Sequence, residues 1–133
     1  SYCLPSNMKN KSVDELAELQ QLGLSLMYVG CESGDDLVLE KIDKGENYAS
    51  SLDALHKIKQ AGMKSSVMIL NGLGGQQYTE QHAINSAKLM NASNYLVLKG
   101  TLTRDKAQLL QQVRTAIQRP GVIPLREEWQ RGL

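Results

Sequence analysis

The sequence predicts an α/β fold of parallel strand-helix repeats, and three observations predict it. Short apolar runs alternate with helical patterns, glycine-containing loops directly follow the first two runs, and no low-complexity segment breaks the alternation. Strands alternating with helices of about 10 to 15 residues favour βαβ crossovers, which gather ligand loops at the carboxyl ends of the strands. The 133 residues cannot make a complete eight-unit barrel, which needs roughly 200 residues or more. The chain is therefore a fragment, a half-barrel or a different α/β layer.

The elements follow in order. Ser12-Val13-Asp14-Glu15 has the spacing of a capping box, and Leu16, Leu19 and Leu22 continue at helical spacing to Gly23, which predicts a helix over 13–22. The apolar run 24–29 predicts a buried strand centred on 26–30 and ending at Gly30-Cys31-Glu32-Ser33-Gly34. Asp35 and Asp36 favour a helix start, with Leu37, Leu39 and Ile42 in a short helix that Lys44-Gly45 interrupts. Leu52, Leu55 and Ile58 give the next helix, over 49–61. A strand over 63–70, with 66–70 as its buried part, ends at Asn71-Gly72-Leu73-Gly74-Gly75.

Thr79 is the expected cap of a helix carrying Ile84, Ala87, Leu89 and Met90, and Tyr95 to Leu98 is a third strand candidate. Thr103 is the expected cap of a last helix bearing Ala107, Leu110, Val113 and Ile117, which Pro120-Gly121 ends before a tail with Trp129.

Charge narrows the function classes. With 15 basic and 14 acidic residues scattered along the chain, neither nucleic acid nor an anionic membrane is favoured, and a small molecule or protein is the expected partner. No apolar run reaches the roughly 18 residues of a membrane span and residues 1–10 have no signal-peptide core, so a cytoplasmic location is expected. Cys3 and Cys31 stand 28 positions apart, which is no metal-type spacing, and free reduced thiols are expected.

Two loops can carry chemistry. In a parallel sheet, 30–34 and 71–75 emerge on one edge and face one crevice. Glycines let backbone amides approach a carboxylate or phosphate, and Glu32 can accept hydrogen bonds from ribose hydroxyls or an amine. Loop glycines also simply permit tight turns. Gly72-Leu73-Gly74-Gly75 lacks both the P-loop ending and the dinucleotide spacing. Lys44 is close enough in sequence to the first loop to reach an anionic ligand group, or it is a solvated lysine. His56 and His82 lie on expected helices without partners at metal spacing and read as surface or helix-packing residues. Cys31, beside Glu32, reads as a structural thiol of raised pKa.

Gly30-Cys31-Glu32-Ser33-Gly34, then Leu39 to Lys44-Gly45, a helix ending Ala61-Gly62, and Met68-Ile69-Leu70-Asn71-Gly72-Leu73-Gly74-Gly75 together resemble radical S-adenosylmethionine proteins. The resemblance covers about residues 1–91 and implies a partial (β/α) barrel, an incomplete TIM-like barrel. Residues 1–7 would resemble the end of its third strand, and the two loops would follow its fourth and fifth.

The resemblance implies S-adenosylmethionine as cofactor, with Glu32, Ser33, Lys44, Asn71 and Gly72 as its contacts. Met68 stands where some relatives carry an acidic ribose contact. The family's CxxxCxxC motif, which holds a [4Fe-4S] cluster, lies upstream of the first helix, and Cys3 and Cys31 cannot replace it. The cluster supplies the electron that cleaves the sulfonium to a 5′-deoxyadenosyl radical, so this chain alone is expected to bind no cluster and to be inactive.

The expectation is thus a barrel segment over 1–91 and a tail with strand and helix over 92–133, with a discontinuity in the ancestral chain at Asn91-Ala92. A genuine short connection through Asn91 to Asn94 is the alternative. Two other functions remain open: a non-catalytic module that oligomerises through an open sheet edge or pairs with a missing barrel half, and a nucleotide-binding domain using the 71–75 loop.

Overall fold

A computed structural model of the chain describes residues 1–93 and the backbone of 98–101. The elements are β1 (Tyr2–Cys3), a 3-10 turn (Pro5–Met8), α1 (Val13–Gln21), β2 (Leu26–Glu32), α2 (Asp36–Lys41), α3 (Tyr48–Gln60), β3 (Lys64–Leu70), α4 (Gly75–Ser93) and β4 (Leu98–Thr101). The strands form one unclosed sheet in the order β1-β2-β3-β4. Every neighbouring pair is parallel: Tyr2 lies opposite Tyr28, Val29 opposite Val67, and Val67 opposite Leu98.

Local chemistry sets the helix starts. The Ser12 hydroxyl accepts from the Glu15 N–H at 3.1 Å, while the Glu15 carboxylate accepts from the Ser12 N–H at 2.7 Å. These bonds complete the box and hold the Glu15 carboxyl below its ordinary pKa. Asp35 caps α2 through Val38 N–H, and Asn47 caps α3 through Ser50 N–H. α4 begins at Gly75 and not at Thr79. Backbone bonds from Gly75 to Gly72 and from Tyr78 to Gly74 wind the loop straight into the helix. The Thr79 hydroxyl donates back to the Gly75 carbonyl inside the first turn instead of capping.

Strand alternation builds one core. Met27, Val29 and Cys31 of β2 and Val67 and Ile69 of β3 pack with Leu16 of α1, Leu55 and Ile58 of α3, and Leu89 and Met90 of α4. Each fully buried Leu or Ile contributes about 2 kcal/mol. Tyr28, Gly30 and Met68 occupy the alternate positions and face away from that core. There the Tyr28 ring stacks on Tyr2 at 4.8 Å, and Tyr2 remains 74% exposed.

α4 runs unbroken through Asn91-Ala92 to Ser93, so the chain is continuous at the expected break, and β4 pairs parallel with β3. The strand lies at Leu98–Thr101 and shares only Leu98 with the expected 95–98. The expected helix over 103–118 and the tail containing Trp129 lie outside the described residues. Among the described residues no helix is long and apolar enough to cross a membrane.

Candidate functional site

The carboxyl edge of the sheet is where the two loops meet. Glu32 is the last residue of β2, opposite Ile69, and Asn71 directly follows the end of β3. β2 does not stop at Gly30 as the sequence suggested. It continues through a bulge in which Gly30 pairs with Met68 and Glu32 with Ile69, leaving Cys31 without a partner. Burial of Cys31 on the core side satisfies alternation and carries the strand two residues further.

Glu32 sits in the left-handed region at φ 64°, which costs a side-chain-bearing residue about 1–2 kcal/mol. Its carboxylate folds back over Gly30, where a Cβ would stand 2.9 Å from Oε1. The same position would meet Met68 at 3.7 Å and Leu4 at 3.8 Å, which places the carboxylate on the side of the sheet away from the core. Lys44 Nζ, in the loop after α2, lies 3.5 Å from Glu32 Oε1. The structure sets these two residues side by side, with about a fifth of each side chain exposed.

Ser33, Asn71 and Gly72 are placed differently. Ser33 is fully buried. Its hydroxyl accepts from the Asp35 N–H at 2.9 Å and lies 2.7 Å from Nδ1 of His82. The side chain therefore supports the loop from within. Asn71 is also buried, and Gly72 turns the chain at φ 82° between β3 and α4.

A buried polar seam, unrecognised in the sequence, holds the first loop to α4. Gly34 N–H donates to the Ser86 hydroxyl at 3.0 Å, Asn85 donates to Asp35 at 2.6 Å, and Gln81 donates to Asp35 at 3.1 Å. Burial pushes the Asp35 carboxyl up, but the Val38, Asn85 and Gln81 hydrogen bonds and nearby His82 outweigh it and hold its pKa below the ordinary value. His82, read from the sequence as a surface or packing residue, is 1% exposed. Burial pushes its pKa down, against the Leu70 carbonyl and the Asp35 charge. The available signal was that His82 and Ser86 fall at helical spacing with Leu89 and Met90, on the face that packs inward. His56 is a packing contact, donating from Nε2 to the Ala92 carbonyl at 3.1 Å.

The cysteines serve the core. Cys31 is fully buried beside the Ser51 hydroxyl, and burial, with Glu32 adding to it, pushes its thiol up to about 12. Cys3 lies opposite Val29 in the neighbouring strand, and burial raises its pKa too. Among the described residues no three His, Cys, Asp or Glu side chains converge as a metal site would require.

Compared with known families, residues 3–90 match the model of the radical SAM superfamily. No curated protein and no solved structure matches the chain.

Proposed function

The chain belongs to the radical SAM superfamily, and from that premise we propose that it supplies later strand units of such an enzyme's partial barrel, contacting S-adenosylmethionine and substrate at the carboxyl edge of its sheet. The observation that carries this reading is Glu32. A non-glycine residue is held at φ 64° at the end of a bulged strand, with its carboxylate turned to the side of the sheet away from the core and a lysine beside it. Backbone outliers and bulges concentrate at functional sites because the surrounding fold must over-determine them.

The strand order supports the barrel reading. Each parallel strand lies beside its predecessor, as in a barrel, whereas a doubly wound sheet reverses its order at a switch point. Parallel sheets are covered on both faces. The face bearing Tyr28, Gly30 and Met68 would then line the barrel interior, closed by further strand units or by a second copy of the chain.

The residues present fit one of the family's two groups. Glu32 can accept hydrogen bonds from ribose hydroxyls or an amine, Lys44 can pair with a carboxylate, and the backbone at Asn71-Gly72 can approach an adenosyl group. S-adenosylmethionine, when bound and reduced, supplies the 5′-deoxyadenosyl radical. The cluster does not fit, because Cys31 is sealed in the core with its thiol pKa pushed up to about 12 and Cys3 lies on the same side. No catalytic step is assigned to this chain through a cluster.

Titration calorimetry of the chain tests the proposal, with S-adenosylmethionine as ligand and ATP as control. Glu32→Gln should weaken S-adenosylmethionine binding about tenfold or more, the cost of losing a charge-assisted hydrogen bond. Because the Glu32–Lys44 pair is partly solvated, the same change should alter stability by less than about 1 kcal/mol. Binding of ATP alone would favour a nucleotide-binding domain. No binding of either ligand, with mass that rises with concentration in light scattering, would favour an oligomerising module.

A further inference from the structure

Two short segments from outside β2 flank the Glu32 carboxylate. One is the turn after β1, whose Leu4 side chain comes within 3.8 Å of the point above Gly30 that Glu32 Oε1 approaches to 2.9 Å. The other is the loop between α2 and α3, whose Lys44 Nζ lies 3.5 Å from Oε1. Ser6 follows Leu4 by two positions, and Glu46 follows Lys44 by two. The Ser6 N–H donates to Glu46 Oε1 at 2.7 Å, and the Ser50 hydroxyl donates to Oε2 at 2.8 Å. Glu46 is 8% exposed, and among the described residues no cation pairs with it. A carboxylate withdrawn from water without a counter-ion is costly unless hydrogen bonds satisfy it, so this side chain depends on joining the two segments.

We propose that Glu46 is a positioning residue for the cofactor site: by fastening the α2–α3 loop to the turn after β1, it holds Lys44 beside Glu32. The inference rests on the functional reading above for what Lys44 and Glu32 bind, but the fastening itself is a property of the fold. Lys44 needs such a hold. It stands between two left-handed residues, Asp43 at φ 54° and Gly45 at φ 70°, and a side-chain-bearing residue in that region relaxes unless its surroundings over-determine it. The Lys44 N–H donates to the Leu39 carbonyl at 3.1 Å, and the Tyr48 N–H donates to Asp36 at 2.6 Å. Both of these bonds return to α2, so of the three only Glu46 ties the loop to a neighbouring strand end. The turn it grips is firm, because Leu4 N–H donates to Asn7 Oδ1 at 2.8 Å, Asn7 N–H donates to the Leu4 carbonyl at 3.0 Å, and Pro5 is fully buried. A lysine on a loosened loop regains its rotamers in water, and the cost of ordering it then falls on ligand affinity.

Amide hydrogen exchange and titration calorimetry on the 133-residue chain separate this role from packing. Glu46→Met keeps the length of the side chain and removes both acceptors. It should raise exchange about tenfold or more at Ser6 and Lys44, while α1 and β3 stay protected. Glu46→Gln keeps an acceptor for Ser6 and turns a donor toward the Ser50 hydroxyl, whose proton passes to the Asn47 carbonyl 3.0 Å away. Both amides should then keep their wild-type protection. S-adenosylmethionine affinity should fall about tenfold in Glu46→Met and stay within about twofold of wild type in Glu46→Gln. In a Lys44→Met background, where no ammonium is left to position, Glu46→Met should change affinity by less than about twofold. A full tenfold loss in that background, unchanged exchange at Lys44 in Glu46→Met, or a uniform rise across the molecule in that variant overturns the proposal. If the wild-type chain binds no S-adenosylmethionine, the functional reading fails on its own, and exchange at Ser6 and Lys44 still decides whether Glu46 fastens the loop.

Discussion

Gly34 lies so close beneath α4 that a Cβ on it would stand 2.3 Å from the Asn85 carbonyl oxygen and 2.8 Å from the Ser86 Cα. Both obstacles are helix backbone, which cannot swing aside as a side-chain tip can. The glycine thus sets the distance between the Glu32 loop and α4, and the Ser86 hydroxyl uses that closeness to accept the Gly34 N–H.

Gly34→Ala should therefore destabilise the chain by about 3 kcal/mol, through overpacking against a rigid element. Ser86→Ala, which leaves a buried N–H unpaired, should cost about 1–2 kcal/mol. Urea unfolding followed by circular dichroism measures both. A Gly34→Ala cost below about 1 kcal/mol would mean that the loop can lift from the helix without penalty.

Stability should fall with acid in two steps, for separate reasons. His82 has a lowered pKa in the folded chain, so between that value and its unfolded pKa of about 6.5 the unfolded state binds more protons. Its contribution is intact above about pH 6.5, shrinks as pH falls from there, and levels off below the folded pKa. Asp35 is also lowered, so its contribution is present above about pH 4 and is lost as pH falls through its folded value. Urea midpoints from pH 3 to 8 check this. His82→Asn should flatten the upper step and leave the lower one. An unchanged profile in that variant would assign the upper step to other groups.

The two thiols should react unequally. Cys31 is sealed, and its thiol is pushed up to about 12, so a disulfide reagent near pH 8 should leave it untouched in the folded chain. Cys3 is partly exposed with a raised pKa and should react slowly. Both should react at once in denaturant. Two fast thiols in the native chain would contradict the packing of β2 against α3.

The sequence by itself determined the elements and their order. The Ser12 box, the Leu52-Leu55-Ile58 stripe and the apolar runs before Gly30 and Asn71 carry their structure in local spacing, where periodicity and capping operate over a few residues. It also placed Glu32 and Asn71 at one edge, because parallel crossovers bring successive strand ends together. Only the tertiary structure decided which residues of those loops face which way. The bulge at Cys31, the turn of Glu32 over Gly30 and the burial of Ser33 against His82 depend on partners many positions away in the chain. A histidine on a helix has the same local pattern whether it meets water or a serine from another loop. The difference arises when α4 settles onto Gly34, because only a neighbour without a side chain lets the helix come close enough to exclude the water.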